Sequence, residues 1–392
     1  MAEVTNYIDR LVAELCPDGV DFYTIDELIT LDFGTRITKS KDAGTIYPVY
    51  GGGGASFRTD NYNREDKYVV SRFAMSEKCV RYVSGKFWML DSGFTYSVKD
   101  ESLLSYKYIS YWLLNAQQEI YACSSQSAQR NLKTAEFKRF EVPVPPLEVQ
   151  EAIVEILDKF TNLEAELEAE LEARTLQYEY YRDSLFEALD CPRVPLGSFA
   201  QLVRGSGMPK TDFSESGVGA IHYGQIYTKF GTATAEVIAH VPEEKAKKLA
   251  VVNPGDVIVA NTSENLEDVC KAVAWVGDSD IVTGGHATVI KAPEQNAKFI
   301  SYYMATGQFN KDKRRHAFGT KVIDVAPKNL AKIEFPLPSL EEQQRIVDIL
   351  DRFDALTTSL SEGLPAELAA RRSQYEYYRD QLLSFPRKGE NH

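Results

Sequence analysis

Base edges in DNA are read by Arg, Lys, Gln, Asn, Ser and Thr, while basic and hydroxyl side chains fix register on phosphates. Such residues gather at a few places in the chain. Arg36, Lys39 and Lys41 lie in a polar loop leading to Tyr50-Gly51-Gly52-Gly53-Gly54-Ala55-Ser56-Phe57-Arg58. A tetraglycine loop lets backbone at Gly52 and Gly53 approach a ligand closely, with Ser56 and Arg58 beside it; it suits an ordinary flexible turn equally well. Ser124-Ser125-Gln126-Ser127-Ala128-Gln129-Arg130 is dense in groups able to pair with bases, with Ser124, Gln126, Gln129 and Arg130 the candidates, and a solvated loop is its bland alternative. Further on, Arg204, Ser206 and Lys210 sit where the first half has Gly34-Thr35-Arg36 and Lys39. Lys313, Arg314 and Arg315 belong to the most basic cluster, suited to phosphates and also to the dipole at a helix C-terminus. Thr320 and Lys321 follow at the place of the first Ser/Gln loop, and Tyr223 with Gln225 is a weaker candidate pair.

Catalytic patterns are missing. No Asn/Asp-Pro-Pro-aromatic motif for adenine methyl transfer occurs, Gly51–Gly54 is not a GxGxxG before a helix, and no GxxxxGK[ST] loop is present. Glu243-Glu244-Lys245 fits a nuclease-like Glu-x-Lys, but without a suitable Pro-Asp before it. His222, His240, His286, His316 and His392 lack metal-ligand spacing. Neither a catalytic residue, a metal site nor a cofactor is expected, and the chain reads as a non-enzyme.

The net charge of −13 runs against nucleic-acid binding until it is divided. Residues 147–190 carry 3 Lys/Arg and 13 Asp/Glu, whereas residues 17–146 are neutral and residues 191–338 net +2. The acid therefore sits on the helical segments, leaving two long stretches free to carry basic faces. The five cysteines are scattered with no CxxC pair, which predicts a reduced, cytoplasmic chain. No run of some 18 apolar residues predicts a membrane span, and no secretion signal opens the sequence.

The elements that must position these residues repeat. Leu147–Phe160 aligns with Leu340–Phe353 at a spacing of 193, with nine of fourteen positions identical. Gln177-Tyr178-Glu179-Tyr180-Tyr181-Arg182-Asp183 recurs intact at Gln374–Asp380, at a spacing of 197, so the second copy holds four extra residues. Tyr7, Asp9, Leu11, Cys16 and Pro17 echo Tyr181, Asp183, Leu185, Cys191 and Pro192, which suggests a nearly circular pseudo-symmetric arrangement. Apolar residues at 149, 153, 156, 160, 163 and 167, resuming at 178, 181 and 185, give heptad spacing with one stutter, as in a coiled coil. Pro145-Pro146 and Pro338-Ser339 mark the helix starts. Ser361-Glu362-Gly363-Leu364-Pro365 should break the second copy. Residues 147–189 would span roughly 64 Å as one straight helix, and four more would add about 6 Å if the break did not absorb them.

Between the helices lie two β-rich segments of common plan. Tyr68-Val69-Val70, Cys79–Val83 and Phe87–Leu90 are strand-like in the first, with Asp256–Ala260, Lys271–Val276 and Ala287–Ile290 as their expected counterparts. An aromatic helix follows in each, Tyr106–Tyr121 and Phe299 to about residue 309, then Asn-Leu and an extended Pro-rich exit. The organisation expected is a helical segment over 1–16, domains over 17–146 and 191–338, and spacers over 147–190 and 339–392. The fold class is α+β: two mixed α/β domains separated by long antiparallel coiled-coil helices, a pseudo-two-fold internal repeat.

The exit-plus-helix pattern Val144-Pro145-Pro146-Leu147-Glu148-Val149-Gln150-Glu151-Ala152-Ile153-Val154, its partner Leu337–Val347, and the duplicated Gln-Tyr-Glu-Tyr-Tyr-Arg-Asp resemble the specificity subunits of type I restriction–modification systems over nearly the whole chain. That resemblance implies two target recognition domains, each reading half of a split sequence in double-stranded DNA. It also implies helices that set half-site separation and bind two DNA adenine methyltransferase (modification) subunits, with restriction/translocase subunits in the full complex and no membrane partner. A coiled-coil scaffold or adaptor that does not bind DNA is the alternative reading, and an enzyme with an unrecognised site stays open behind it.

Overall fold

A computed structural model of the chain describes residues 2–357 and 363–389. The chain divides into two compact units, Met1–Glu166 with Ala370–His392, and Leu167–Ala369. Each unit thus joins one β-rich segment to helix from both copies of the repeat.

In the first unit, helix Ala2–Leu15 leads to a short neck in which strand Asp21–Thr24 pairs antiparallel with the exit strand Glu141–Val144. Thr24 then caps the turn Ile25–Leu28 in a reciprocal capping box with Glu27. Beyond it stands a six-stranded sheet in the order Ile29–Phe33, Gly93–Val98, Arg64–Ser71, Val80–Met89, Tyr47–Gly51, Gly54–Thr59. Helices Tyr106–Asn115 and Gln117–Ala122 cover it, burying Tyr108, Ile109, Leu113 and Ile120. The same core takes in Ile8 and Leu11 of the first helix, Val149, Ile153 and Leu157 of the spacer, and Leu382 and Leu383 near the C-terminal end. Both ends of this unit also clasp through backbone: Val20 N–H donates to Pro386 O (3.0 Å) and Lys388 N–H donates to Val20 O (3.0 Å).

The second unit repeats this plan. Its neck pairs Arg193–Pro195 with Glu334–Pro336. Its main sheet runs Gln201–Arg204, Ala287–Lys291, Val257–Ala260, Ala272–Trp275, Ala233–Thr234, covered by helices Ala297–Met304 and Gly307–Arg314. A separate four-stranded sheet, Ala239–Val241, Val218–Ile221, Ile281–Thr283, Ala250–Val252, has no equivalent among the described residues of the first unit. Register gives the strand correspondence and corrects the one expected from sequence. Ala287–Lys291 matches Gly93–Val98, because both pair with the first strand of their sheet (Phe33 with Phe94, Arg204 with Thr288). Phe87–Met89 instead closes a ten-residue strand, Val80–Met89, that a bulge at Asp66 opposite Gly85 makes look like two, and Leu90 lies beyond it.

The first spacer copy is one helix, Leu147–Glu187, of 41 residues. The second is two, Leu340–Thr357 and Gly363–Leu382. Gly363, at φ +76°, cannot continue a right-handed helix, so the extra residues accompany a break rather than lengthening one rod. Phe160 stacks on Tyr378 in the first unit (centroids 5.8 Å apart), and Phe353 stacks on Tyr181 in the second (5.6 Å). The same contact is made twice with the two copies exchanging roles, as antiparallel pairing of the copies requires.

Candidate nucleic-acid interface

At the end of the first sheet remote from its neck, the strands finish at Phe33, Ser71 and Gly93, and their loops converge. Gly34 admits no side chain, since a Cβ there would lie 2.1 Å from Leu90 O. The Arg72 guanidinium is held between the rings of Phe33 (4.9 Å) and Phe73 (4.6 Å), an arrangement that orients a cation while leaving its donors open. Arg72 N–H donates to Ser92 O (2.8 Å), its carbonyl accepts from Leu132 N–H (2.8 Å), and Met75 N–H donates to Arg130 O (3.0 Å). The glycine turn joins the same place: Gly52 N–H donates to Ser92 Oγ (3.2 Å), and Ser71 Oγ donates to Gly52 O (2.7 Å). The loop that opens at Gly34, the glycine turn and the Ser/Gln loop therefore meet around Arg72 and Phe73.

Within that edge the candidates separate. Arg36, Lys39 and Lys41 are exposed with no acid in salt-bridge reach among the described residues. Gly53, Gln126 and Gln129 are exposed too. Arg58 and Ser56 lie on the outermost strand, Arg58 donating to Ile46 O (2.6 Å) and Ser56 to Val49 O (3.2 Å). Arg130 lies over the Tyr121 ring at 4.5 Å and is half-buried. Two expectations are corrected. Ser124 is buried and donates to Tyr121 O (2.6 Å), and Gly52 is buried against Phe73 O, so both build the loop and neither faces solvent.

The second domain presents the same frame with different side chains. Asn261 takes the place of Arg72: its N–H donates to His286 O (2.7 Å) and its carbonyl accepts from Val325 N–H (3.0 Å), as Arg72 does with Ser92 and Leu132. Gly205 takes the place of Gly34, with Gly284 O 1.9 Å from a would-be Cβ. Arg204 pairs with Asp324 (3.4 Å), which also exchanges backbone hydrogen bonds with Phe318. The turn between them, bent at Gly319 (φ +119°), carries exposed Thr320 and Lys321 between exposed Phe318 and Val322. Arg204, Thr320 and Lys321 are thus brought together. Ser206 Oγ donates to Lys248 O, and Lys210 is exposed in the next turn. Tyr223 lies between His222 (4.4 Å) and His286 (5.1 Å). Burial, then the charges of Lys210 and His286, hold the His222 imidazole below its usual value.

Other candidates are engaged within the protein. Lys313 is buried, its ammonium donating to Glu267 O and Val269 O (2.7 Å each), and burial lowers its pKa. It is a post under the Glu267–Val269 loop rather than a phosphate contact. Its neighbours Arg314 and Arg315 are exposed and pair with Glu267 and Asp312 (3.4 Å each). The Gln225 carboxamide oxygen accepts from His222 N–H (2.8 Å) as part of a helix cap. Conversely, Phe33, Arg72, Phe73, Asn261, Thr262 and His286 were not singled out from sequence. The available signal was positional: Arg72 lies two residues past a predicted strand, and His286 follows a Gly-Gly pair. Among the described residues no His/Cys/Asp/Glu group could hold a metal ion, and no helix is long and apolar enough to cross a membrane.

Residues 17–173 and 192–370 match the family model of the type I restriction modification DNA specificity domain, one copy over each β-rich segment and its helix. The chain belongs to the type I restriction–modification specificity family. Among type I specificity subunits, that of the Escherichia coli enzyme EcoR124I/EcoR124II is 32% identical over 308 residues, covering 74% of this chain and 73% of the relative. The type I S subunit of M. genitalium superposes with a TM-score of 0.57 at 17% identity, over 93% of this chain and 96% of that one. A structure from work on complex assembly and conformational transition of the type I R-M system superposes at 0.58 and 14% identity, over 94% and 98%. Type I specificity subunits recognise DNA sequence and act with modification and restriction subunits.

Proposed function

We propose that each recognition domain, over 17–146 and 191–338, reads one half of a bipartite site in double-stranded DNA through the sheet edge remote from its neck. The observation that carries this is the shared edge frame: one backbone arrangement recurs in both domains, while its side chains differ (Phe33, Arg72 and Ser92 against Arg204, Asn261 and His286). Shared frame with unlike side chains is what two readers of different half-sites need. Arg36, Lys39, Lys41, Gly53, Gln126, Gln129 and Arg130 surround the first reader; Arg204, Ser206, Lys210, Thr320 and Lys321 surround the second. Arg58 and Ser56 flank the first edge on its outermost strand.

The chain itself is non-catalytic and works in the cytoplasm; methyl transfer, ATP use and cleavage belong to its partners. The spacers over 147–190 and 339–392 set the half-site separation, the linked second contact gaining effective concentration. They also dock two modification subunits. Tyr180 and Tyr377, equivalent in the duplicated motif and both largely exposed (69% and 59%), supply the same surface twice, as two copies of one partner require. Comparing the methylomes of cells with and without this chain tests the reading: a split adenine-methylation motif that depends on the chain is expected, and identical methylomes would overturn it.

A further inference from the structure

We infer that His286 is a base-reading residue of the second domain, an assignment that rests on the DNA-reading role proposed above. His286 closes the turn that carries the chain from strand Ile281–Thr283 of the four-stranded sheet to strand Ala287–Lys291 of the main sheet, at φ +67°, a left-handed conformation that a residue with a side chain adopts only at an energetic cost. The two glycines immediately before it, Gly284 and Gly285, do not take that conformation. Strain therefore falls on the residue that gains least from it structurally, and the surrounding contacts hold it there.

Three contacts, two of them to its ring, fix His286, whose side chain is otherwise exposed. Its Nδ1 lies 3.1 Å from the buried Thr262 Oγ1, its ring lies 5.1 Å from that of Tyr223, and its carbonyl accepts from Asn261 N–H (2.7 Å). Nε2 has no hydrogen-bond partner among the described residues and stands on the same edge as Arg204, Thr320 and Lys321. When Thr262 donates to Nδ1, Nε2–H is a donor suited to guanine O6 or N7 or thymine O4. When Nδ1–H donates to Thr262, Nε2 accepts from adenine N6 or cytosine N4. Either tautomer presents one anchored, directional hydrogen bond. Ser92 occupies the equivalent place in the first domain, its carbonyl accepting from Arg72 N–H, so the position belongs to the common frame and the side chain distinguishes the two readers.

The test uses the full chain expressed with its modification and restriction subunits, carrying His286→Gly or His286→Asn. Both replacements tolerate left-handed backbone, so both fold, and H286G should melt above the wild type because it relieves the strain. The expected methylome shows one base position relaxed in one half of the split motif, with discrimination there reduced roughly tenfold, the size of one good base contact; the other half and the spacer stay unchanged. An unchanged motif in both variants would overturn the assignment, as would weakening that is uniform across sequences, which marks a phosphate contact. Absence of any split motif with the wild-type chain would instead overturn the underlying DNA-reading role.

Discussion

Tyr111 donates a 2.6 Å hydrogen bond to Asp158, tying the domain's helix to the spacer, and Lys107 reaches the same carboxylate at 2.5 Å. The second unit repeats the arrangement: Tyr302 donates to Asp351 at 2.7 Å and Lys298 pairs with it at 2.8 Å. Such joints fix each domain's helix to its spacer. Tyr302→Phe should therefore destabilise the second unit by about 1.5–3 kcal/mol, the scale of a hydrogen bond to a charged group. The lower melting temperature should come with a retained motif, and an unchanged melting curve would count against the joint.

Gln150 and Gln343 form a second duplicated joint, both fully buried. Gln150 accepts from Ser105 N–H (2.8 Å) and donates to Leu103 O and Pro145 O; Gln343 accepts from Asn296 N–H (3.0 Å) and donates to Pro338 O and Gln295 Oε1. Gln343→Leu fills the space but leaves those groups unpaired, a loss of about 1–3 kcal/mol. Urea unfolding measures it, and a shift of the midpoint without a change of slope is expected.

Much of the frame was legible in the sequence, and the reason is local. Asp158 and Asp351, like Gln150 and Gln343, fall at identical positions of a repeat whose helical period shows without any tertiary information. The strand correspondence was not legible, because the bulge at Asp66 and Gly85 splits one strand into two apolar runs. Nor were the edge residues. Arg72 acquires its meaning from Phe33, and His286 from Thr262 and Tyr223, all brought close only by the sheet. Lys313 misled for the converse reason: a cluster of cations looks exposed until one of them proves to be holding buried carbonyls.

Acid should weaken the second unit through His222. Burial lowers its pKa below the unfolded value of 6.5, and its Nδ1 accepts from Gly224 N–H (3.1 Å), which needs the neutral ring. Above 6.5 neither state binds the proton. Below it the unfolded chain does so first, and stability falls with pH until the folded ring also titrates. His222→Asn keeps a helix-capping side chain and should flatten the melting temperature between pH 7 and 5 relative to the wild type. Parallel curves for the two proteins would exclude the effect.

Arg72 should not be replaceable by lysine. The planar guanidinium fits between Phe33 and Phe73 and keeps several donors in a fixed fork, which an ammonium cannot do. Arg72→Lys should weaken binding of the assembled complex to its own site by about tenfold, or 1.4 kcal/mol. Equilibrium binding at fixed salt checks this; equal affinities would remove Arg72 from the interface.

Two readers with a common frame should be exchangeable one at a time, and a domain exchange measures that most directly. Replacing residues 196–333 with the matching segment of another specificity subunit, and sequencing the resulting methylome, should change one half of the split motif. The other half and the separation should remain as in the parent. A methylome in which both halves change together, or neither does, would contradict independent reading by the two domains.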